Sequence, residues 1–290
     1  MKRTFAVGPE CSLAIDTYRG GIVVEEIDEP EIRVTVRMQN DLDDEGESNR
    51  VLDAVQLEMN PGQNGVTIRV RNPAASAPHL TWRDRALVEV ALLVSVPRQC
   101  SVNLTTVTGS IQVGNLTGAM RARAGTGTVS FRHIDGSVNA AVTTGDVLVA
   151  RCSGAVTVVA SRGNIRLGVA GGPADLTASN GDIEIQNAKA GLRAVATAGD
   201  VIAGLAPGFT GDADVRTAAG TIVVKLDPAE GYSVQASSVW GRVESKLPMA
   251  VSAGASGKSK LSGQINGGGP RLKLHANGGH IKIDRALPAE

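Results

Sequence analysis

TTGDVLVARCSGAVTVVASRGNIRLGVAGG (Thr143–Gly172) carries one short motif several times over, with glycine at 145, 154, 163 and 172. Between glycines, apolar and polar residues alternate, as in Val147-Leu-Val149 and Ile165-Arg-Leu167. Alternation of period two is the mark of a strand with one face inward. A nine-residue unit that alternates and then turns makes one short strand, and two units make one coil of about 18 residues. The comb extends outward from this stretch to glycines 109, 118, 127, 136, 181, 199 and 208, and its one gap, Ala190, is followed directly by Gly191. The expected fold is all-β, a single-stranded parallel β-solenoid.

Aligned at 18 residues, Ile111, Val129, Val147, Ile165, Ile183 and Val201 form one inward column, with Val113, Phe131, Val149, Leu167, Ile185 and Ala203 beside it. The alternate strand of each coil points smaller residues inward, such as Val138, Ala140 and Val142, or Ala174, Leu176 and Ala178. A bulky wall facing a small one lets two sheets pack closely. The composition agrees, because aromatics make up only 2% of the 290 residues and the core must be built from aliphatic side chains.

Three regions are expected. Residues 1–100 alternate without the comb and read as an N-terminal β-region that leads into the solenoid and caps it, residues 101–251 as the regular solenoid, and residues 252–290 as a terminal coil and cap. In the first region Ile32, Val34, Val36 and Met38 share a strand face, and Asn64-Gly65 between Val55-Leu57-Met59 and Val66-Ile68-Val70 reads as a hairpin. An acidic loop is expected from Asn40 to Arg50 and a proline-bearing one from Asn72 to Arg85, before a strand from Leu87 to Val96 that Pro97 stops. Near Gly208 the phase slips by three residues, read as a bulged turn around Pro207–Thr210 that leaves the coil intact.

Lys plus Arg and Asp plus Glu are equal at 29 each, which removes the positive field that nucleic-acid binding needs. The apolar stretches near the start are broken by Glu10, Asp16 and Arg19, so neither a signal sequence nor a membrane span is read, and the chain as written is expected in the cytoplasm. Cys11, Cys100 and Cys152 are odd in number and widely spaced, which argues against a disulfide framework and favours three small buried residues.

Residues with chemistry sit beside the comb. The position after alternate glycines runs Ser110, Thr128, Asp146, Asn164, Asp182, Asp200. Coils stack about 4.8 Å apart, so Asp146, Asp182 and Asp200 are the candidates for a shared cation. Such residues beside a turn glycine also bond local backbone amides, and that reading is preferred. A calcium-binding roll needs more glycine and acid per repeat than TGDVLV (Thr144–Val149) or NGDIEI (Asn180–Ile185) supplies. His275 and His280 flank Gly278-Gly279 and could converge across a turn. Arg166 with Glu184, and Asp175 with Arg193, are expected to pair from coil to coil. No nucleophile elbow, phosphate loop or zinc motif is present, so no catalytic residue and no cofactor is assigned.

VEVALLVSVPRQCSVNLTTVTGSIQVGNLTG (Val88–Gly118), the repeated G-[DNST]-[IV]-x-[VIL] and the ending GGGPRLKLHANGGHIKI (Gly267–Ile283) together resemble the bacterial adhesin-like β-strand-repeat proteins, whose domain has no assigned function. The resemblance implies a parallel β-solenoid without established catalytic residues, and exported or cell-surface placement as the alternative to the cytoplasm. The functional expectation is a non-enzymatic scaffold that offers a strand face or loops to a protein or glycan partner. Its alternatives are self-assembly through the solenoid ends and a polysaccharide-active β-helix enzyme.

Overall fold

The computed structural model describes residues 1–40, 45–72 and 88–286. They form two compact units, Met1–Asp135 and Gly136–Glu290.

The first unit contains β1 (Lys2–Ala6), β2 (Cys11–Arg19), β3 (Ile22–Ile27), β4 (Glu31–Gln39), α1 (Glu45–Asp53), β5 (Gln56–Pro61) and β6 (Gly65–Arg71). β7 (Glu89–Pro97), β8 (Cys100–Thr108), β9 (Ile111–Thr117), β10 (Met120–Thr126) and β11 (Val129–Asp135) complete it. One sheet runs β1-β4-β7-β3-β9-β11 and the other β10-β8-β2-β6-β5. The expected hairpin is present, with Leu57 opposite Val70 and Met59 opposite Ile68. Part of the expected acidic loop is instead the helix α1. The loop from Asn72 to Arg85 lies, after Asn72, outside the described residues.

Stacking order in this unit is not chain order. β2 pairs in parallel with both β6 and β8, and β3 with both β7 and β9, so the β2–β3 coil lies between two coils that follow it in sequence. Leu13 meets Val102, Ile15 meets Leu104 and Ile22 meets Ile111, all buried to within 3%. Register also sets Cys11 opposite Cys100, and the two form a disulfide with their Cα atoms 4.5 Å apart. This corrects the expectation of three unpaired cysteines. A separation of 89 residues hid the pair, and only the stack makes them neighbours. Cys152 stands outside this disulfide, buried, with its thiol 3.1 Å from the Gly136 carbonyl oxygen.

The second unit opens with β12 (Val138–Thr144), β13 (Val147–Cys152), β14 (Val156–Arg162), β15 (Ile165–Ala170), β16 (Ala174–Asn180) and β17 (Ile183–Ala188). It continues with β18 (Leu192–Ala198), β19 (Val201–Leu205), β20 (Ala213–Ala219) and β21 (Ile222–Leu226). The even-numbered strands form one parallel wall and the odd-numbered strands the other. Val147, Ile165, Ile183, Val201 and Ile222 are all 0% exposed and make the bulky inward column. Burying each such side chain contributes roughly 1.5–3 kcal/mol. The small wall faces them with Ala140, Val158, Leu176, Ala194 and Val215. Three extra residues after β19 are absorbed in a turn that buries Phe209, and Leu192 still pairs with Ala213.

Glycine is dictated at the turn by two independent constraints. At Gly163, φ is +141° and a Cβ would strike the carbonyl oxygen of Gly145 in the neighbouring coil. Side chains rarely adopt that φ, and here there is no room for one either.

The unit ends with β22 (Tyr232–Ser238), β23 (Val243–Ser245), β24 (Ala250–Gly257), β25 (Lys260–Ile265), β26 (Arg271–Ala276) and β27 (Ile281–Arg285). Order is again broken, because β26 and β27 stack directly on β20 and β21, with β22 and β23 beyond them. The last two strands, expected to close the stack, therefore lie one coil in. The hairpin of β24 and β25 runs antiparallel beside β22 and ends that sheet. The opposite sheet ends on β23, a strand of three residues, and short edge strands give other chains little to pair with.

Candidate functional site

The residues beside the comb form a hydrogen-bond ladder along one turn edge of the second unit. The Asn164 amide donates to Asp146 Oδ1 at 2.8 Å, Asp182 to Asn164 Oδ1 at 2.9 Å, Asp200 to Asp182 Oδ1 at 2.8 Å, and Thr221 to Asp200 Oδ1 at 2.7 Å. Each side chain thus satisfies the backbone of the next coil, where local turn bonding was expected. Parallel stacking explains the difference, since equivalent residues of successive coils come within hydrogen-bonding reach of one another. The ladder brings Asp146, Asp182 and Asp200 into one file, with Asn164 between the first two. Among the described residues, no cluster of three or more His, Cys, Asp or Glu side chains is placed to hold a metal ion.

The expected outward pairs are present, with Arg166 3.9 Å from Glu184 and Arg193 3.6 Å from Asp175. All four side chains are about half exposed, so each pair contributes at most about 1 kcal/mol. His275 and His280 take separate partners. His275 Nδ1 lies 3.0 Å from Ser237 Oγ and its Nε2 2.9 Å from Asn277 Oδ1, whereas His280 Nδ1 accepts the Arg242 amide at 3.0 Å. The aromatic side chains are scattered: Tyr18 donates to the Val88 carbonyl, Tyr232 is buried and Trp240 is 87% exposed on a turn. Trp82 lies outside the described residues.

In the first unit the Glu26 carboxylate accepts the Asn115 backbone amide at 2.9 Å and its side-chain amide at 2.6 Å. Burial pushes this carboxyl up, but the Asn115 hydrogen bonds outweigh it, leaving the pKa below the ordinary value. This is another coil-to-coil link, and its spacing of 89 residues equals that of the cysteine pair.

A cavity on the outward face of the second unit was not read from the sequence. It measures about 380 Å³, within the usual range for small-molecule sites. Its walls include Arg216 from β20, Lys273 and His275 from β26, Gln235 and Ser237 from β22, and Lys260 and Ser262 from β25. Two outward rungs build it. Asp214, Lys273, Gln235 and Ser262 lie side by side in one rung, and Arg216, His275, Ser237 and Lys260 in the next. Asp214 grips Arg216 through two contacts of 2.7 and 2.6 Å, which holds its carboxyl below the usual range and fixes the guanidinium plane. The sequence hint was the cluster of Lys260, Arg271 and Lys273 near the end. Locally it reads as a solvated segment, because β22 pairs with β25 across roughly 23–33 residues, as in Ser237↔Lys260 and Tyr232↔Ile265, and with β26 across about 38, as in Ser233↔Arg271.

With this geometry in view, residues 154–284 match the family model described as Toastrack DUF4097, a domain of unknown function. The resemblance to adhesin-like β-strand-repeat proteins therefore stands over that segment. The chain is also similar to solved structures at low identity. One, described as a "putative adhesin" from Bacteroides fragilis NCTC 9343, shares 13% identity at a TM-score of 0.43, covering 98% of this chain and 96% of that one. Another, described as a "putative cell adhesion protein" from Clostridium sporogenes ATCC 15579, shares 10% identity at a TM-score of 0.26, covering 98% and 99%. A third, described as a "putative lipid binding protein" from Parabacteroides distasonis ATCC 8503, shares 11% identity at a TM-score of 0.46, covering 98% and 96%. No curated protein matches the sequence. No helix among the described residues is long and apolar enough to cross a membrane.

Proposed function

We propose that this chain is a non-enzymatic binding scaffold whose rigid outward strand faces engage a protein or glycan partner. The observation that carries this reading is the ladder from Asp146 to Thr221. The carboxylates that recur with the repeat accept backbone amides, so the residues best placed for acid–base chemistry are committed to holding coils together. What the coils present to solution is a pleated surface of exposed polar side chains at fixed spacing, suited to recognition by many weak contacts.

The test is a panel of polysaccharides and immobilised glycans offered to the purified protein. Retention on a subset without turnover is expected. Turnover that disappears in Asp182→Ala or Asp200→Ala would instead establish an enzyme and overturn the scaffold.

A further inference from the structure

We infer that the cavity between β20, β26, β22 and β25 is a binding site for a ligand bearing a compact oxyanion, a carboxylate, sulfate or phosphate group, on a hydroxylated body. The inference rests on the scaffold reading and names the ligand chemistry of one face. Its first support is the charge of the lining. Arg216, Lys260 and Lys273 all face the cavity, and no Asp or Glu lies among its lining residues. A surface whose protein-wide charge is balanced has here gathered three fixed cations around one concavity.

Neighbouring coils give the second support. Along the first outward rung acids and bases alternate from coil to coil, Asp175, Arg193, Asp214 and Lys273, so each charge meets its opposite. The second rung runs Thr177, Val195, Arg216, His275, Ser237 and Lys260 and contains no acid. Asp214 is shared between Arg216, which it grips diagonally, and Lys273 beside it, and no acid stands against Lys260 in its rung, so three cations face one carboxylate. A net excess of cations around a concave surface focuses a positive potential, which attracts anions more strongly than a flat surface would.

The polar groups supply the third support. Arg216 is oriented by Asp214, and a planar guanidinium suits a carboxylate, sulfate or phosphate. Ser237 is tied to His275, which is tied in turn to Asn277, so both side chains are held in place. Gln235 and Ser262 add neutral donors and acceptors of the kind that bind hydroxyl groups.

The experiment is amide NMR of the full chain at low salt, titrated separately with inorganic phosphate, inorganic sulfate, an oligogalacturonate and the corresponding neutral oligogalactose. Shifts confined to 233–237, 260–262 and 271–275 are expected with the anions and not with the neutral sugar. Stronger binding of the oligogalacturonate than of the inorganic ions would identify a saccharide acid, and equal binding a free oxyanion. The double variant Lys260→Gln/Lys273→Gln should weaken binding about tenfold, as expected for losing two charge-assisted contacts, while Lys282→Gln on the other sheet should not. Both variants alter exposed side chains, and an unchanged melting temperature would show that the fold persists. Anion binding that survives the double variant, or an absence of shifts in these strands, overturns the site. Saccharide binding mapped to another face would overturn the site and leave the scaffold standing.

Discussion

From Gly145 to Thr221 the coils stack in the order in which they are made, whereas the β2–β3 coil is flanked by two later coils and at β26–β27 the chain returns to fill a place between two earlier ones. In the regular run each turn is secured by the coil after it, through the Asp146–Thr221 ladder and a glycine every 18 residues. In the reordered parts that repetition lapses and other devices appear: a disulfide and the Glu26–Asn115 link in one unit, an antiparallel hairpin and a cation-lined cavity in the other. Repetition satisfies each coil with its neighbour and leaves few groups over. Where the pattern breaks, side chains remain that the fold does not use, and those are the places to look for recognition.

The disulfide is the strongest of these devices. Replacing both Cys11 and Cys100 by serine should cost about 4 kcal/mol, because the bridge closes a loop of 89 residues in the unfolded chain. Denaturant unfolding under oxidising conditions measures the loss, and hydrogen exchange should place it in the first unit. A loss below about 1 kcal/mol would show that the β2–β3 coil is held by packing alone.

Glycine separates the two regimes next. Gly181→Ala, in the regular run, meets a φ of +145° and the Gly163 carbonyl oxygen and should cost about 2–3 kcal/mol. Gly267→Ala, in the turn after β25, has a φ of +80° with nothing within 4 Å and should cost about 1 kcal/mol. Equal melting temperatures for the two variants would remove the distinction between crowded and open turns.

Tyr232 offers an effect of opposite sign. The side chain is 1% exposed, its hydroxyl has no hydrogen-bond partner among the described residues, and burial first, with Glu230 and Asp227, pushes its pKa up to about 12. Tyr232→Phe should stabilise the protein by about 1 kcal/mol, as removal of an unsatisfied buried group does. Destabilisation would mean that the hydroxyl is satisfied in solution.

The smallest effect is a pH dependence at the cavity rim. Arg216 holds the Asp214 pKa down, so the stabilisation is present above the ordinary carboxylate value and is lost as pH falls through the lowered one. Both side chains are substantially exposed, so screening keeps this contribution below about 0.5 kcal/mol. The stabilities of wild type and Arg216→Gln should therefore differ by that small amount at neutral pH and converge as pH falls through the acidic window. A difference persisting below that window, where Asp214 is protonated, would mean that Arg216 acts through packing.

The regular run was legible because within each unit the inward residues recur at one fixed step, Ile111 and Val129 in the first and Val147, Ile165, Ile183 and Val201 in the second. The reordered coils were not, although their signal is present: CSLAIDTYRGGIVV (Cys11–Val24) aligns with CSVNLTTVTGSIQV (Cys100–Val113) through Cys, Ser and Gly. An interval of 89 residues falls outside any local period, so the cysteine pair and the Glu26–Asn115 link were both missed. α1 was read as a loop because its sequence, EGESNRVLD, is polar and short. The acids beside the comb were identified as turn residues, but their partners lie one coil away, beyond a reading of local turn chemistry. The cavity joins side chains from four strands, two of which, β22 and β25, pair antiparallel in a way that the comb does not foreshadow.

The most direct test of the ladder compares Asp182→Asn with Asp182→Ala in equilibrium unfolding. Asparagine keeps the acceptor oxygen, as Asn164 already does in the same file, and should match wild type to within about 0.5 kcal/mol, while alanine should lose about 1 kcal/mol with the hydrogen bond to the Asp200 amide. Asparagine as damaging as alanine would show that the charge matters and the amide bond does not, and alanine as stable as wild type would show that the ladder contributes nothing.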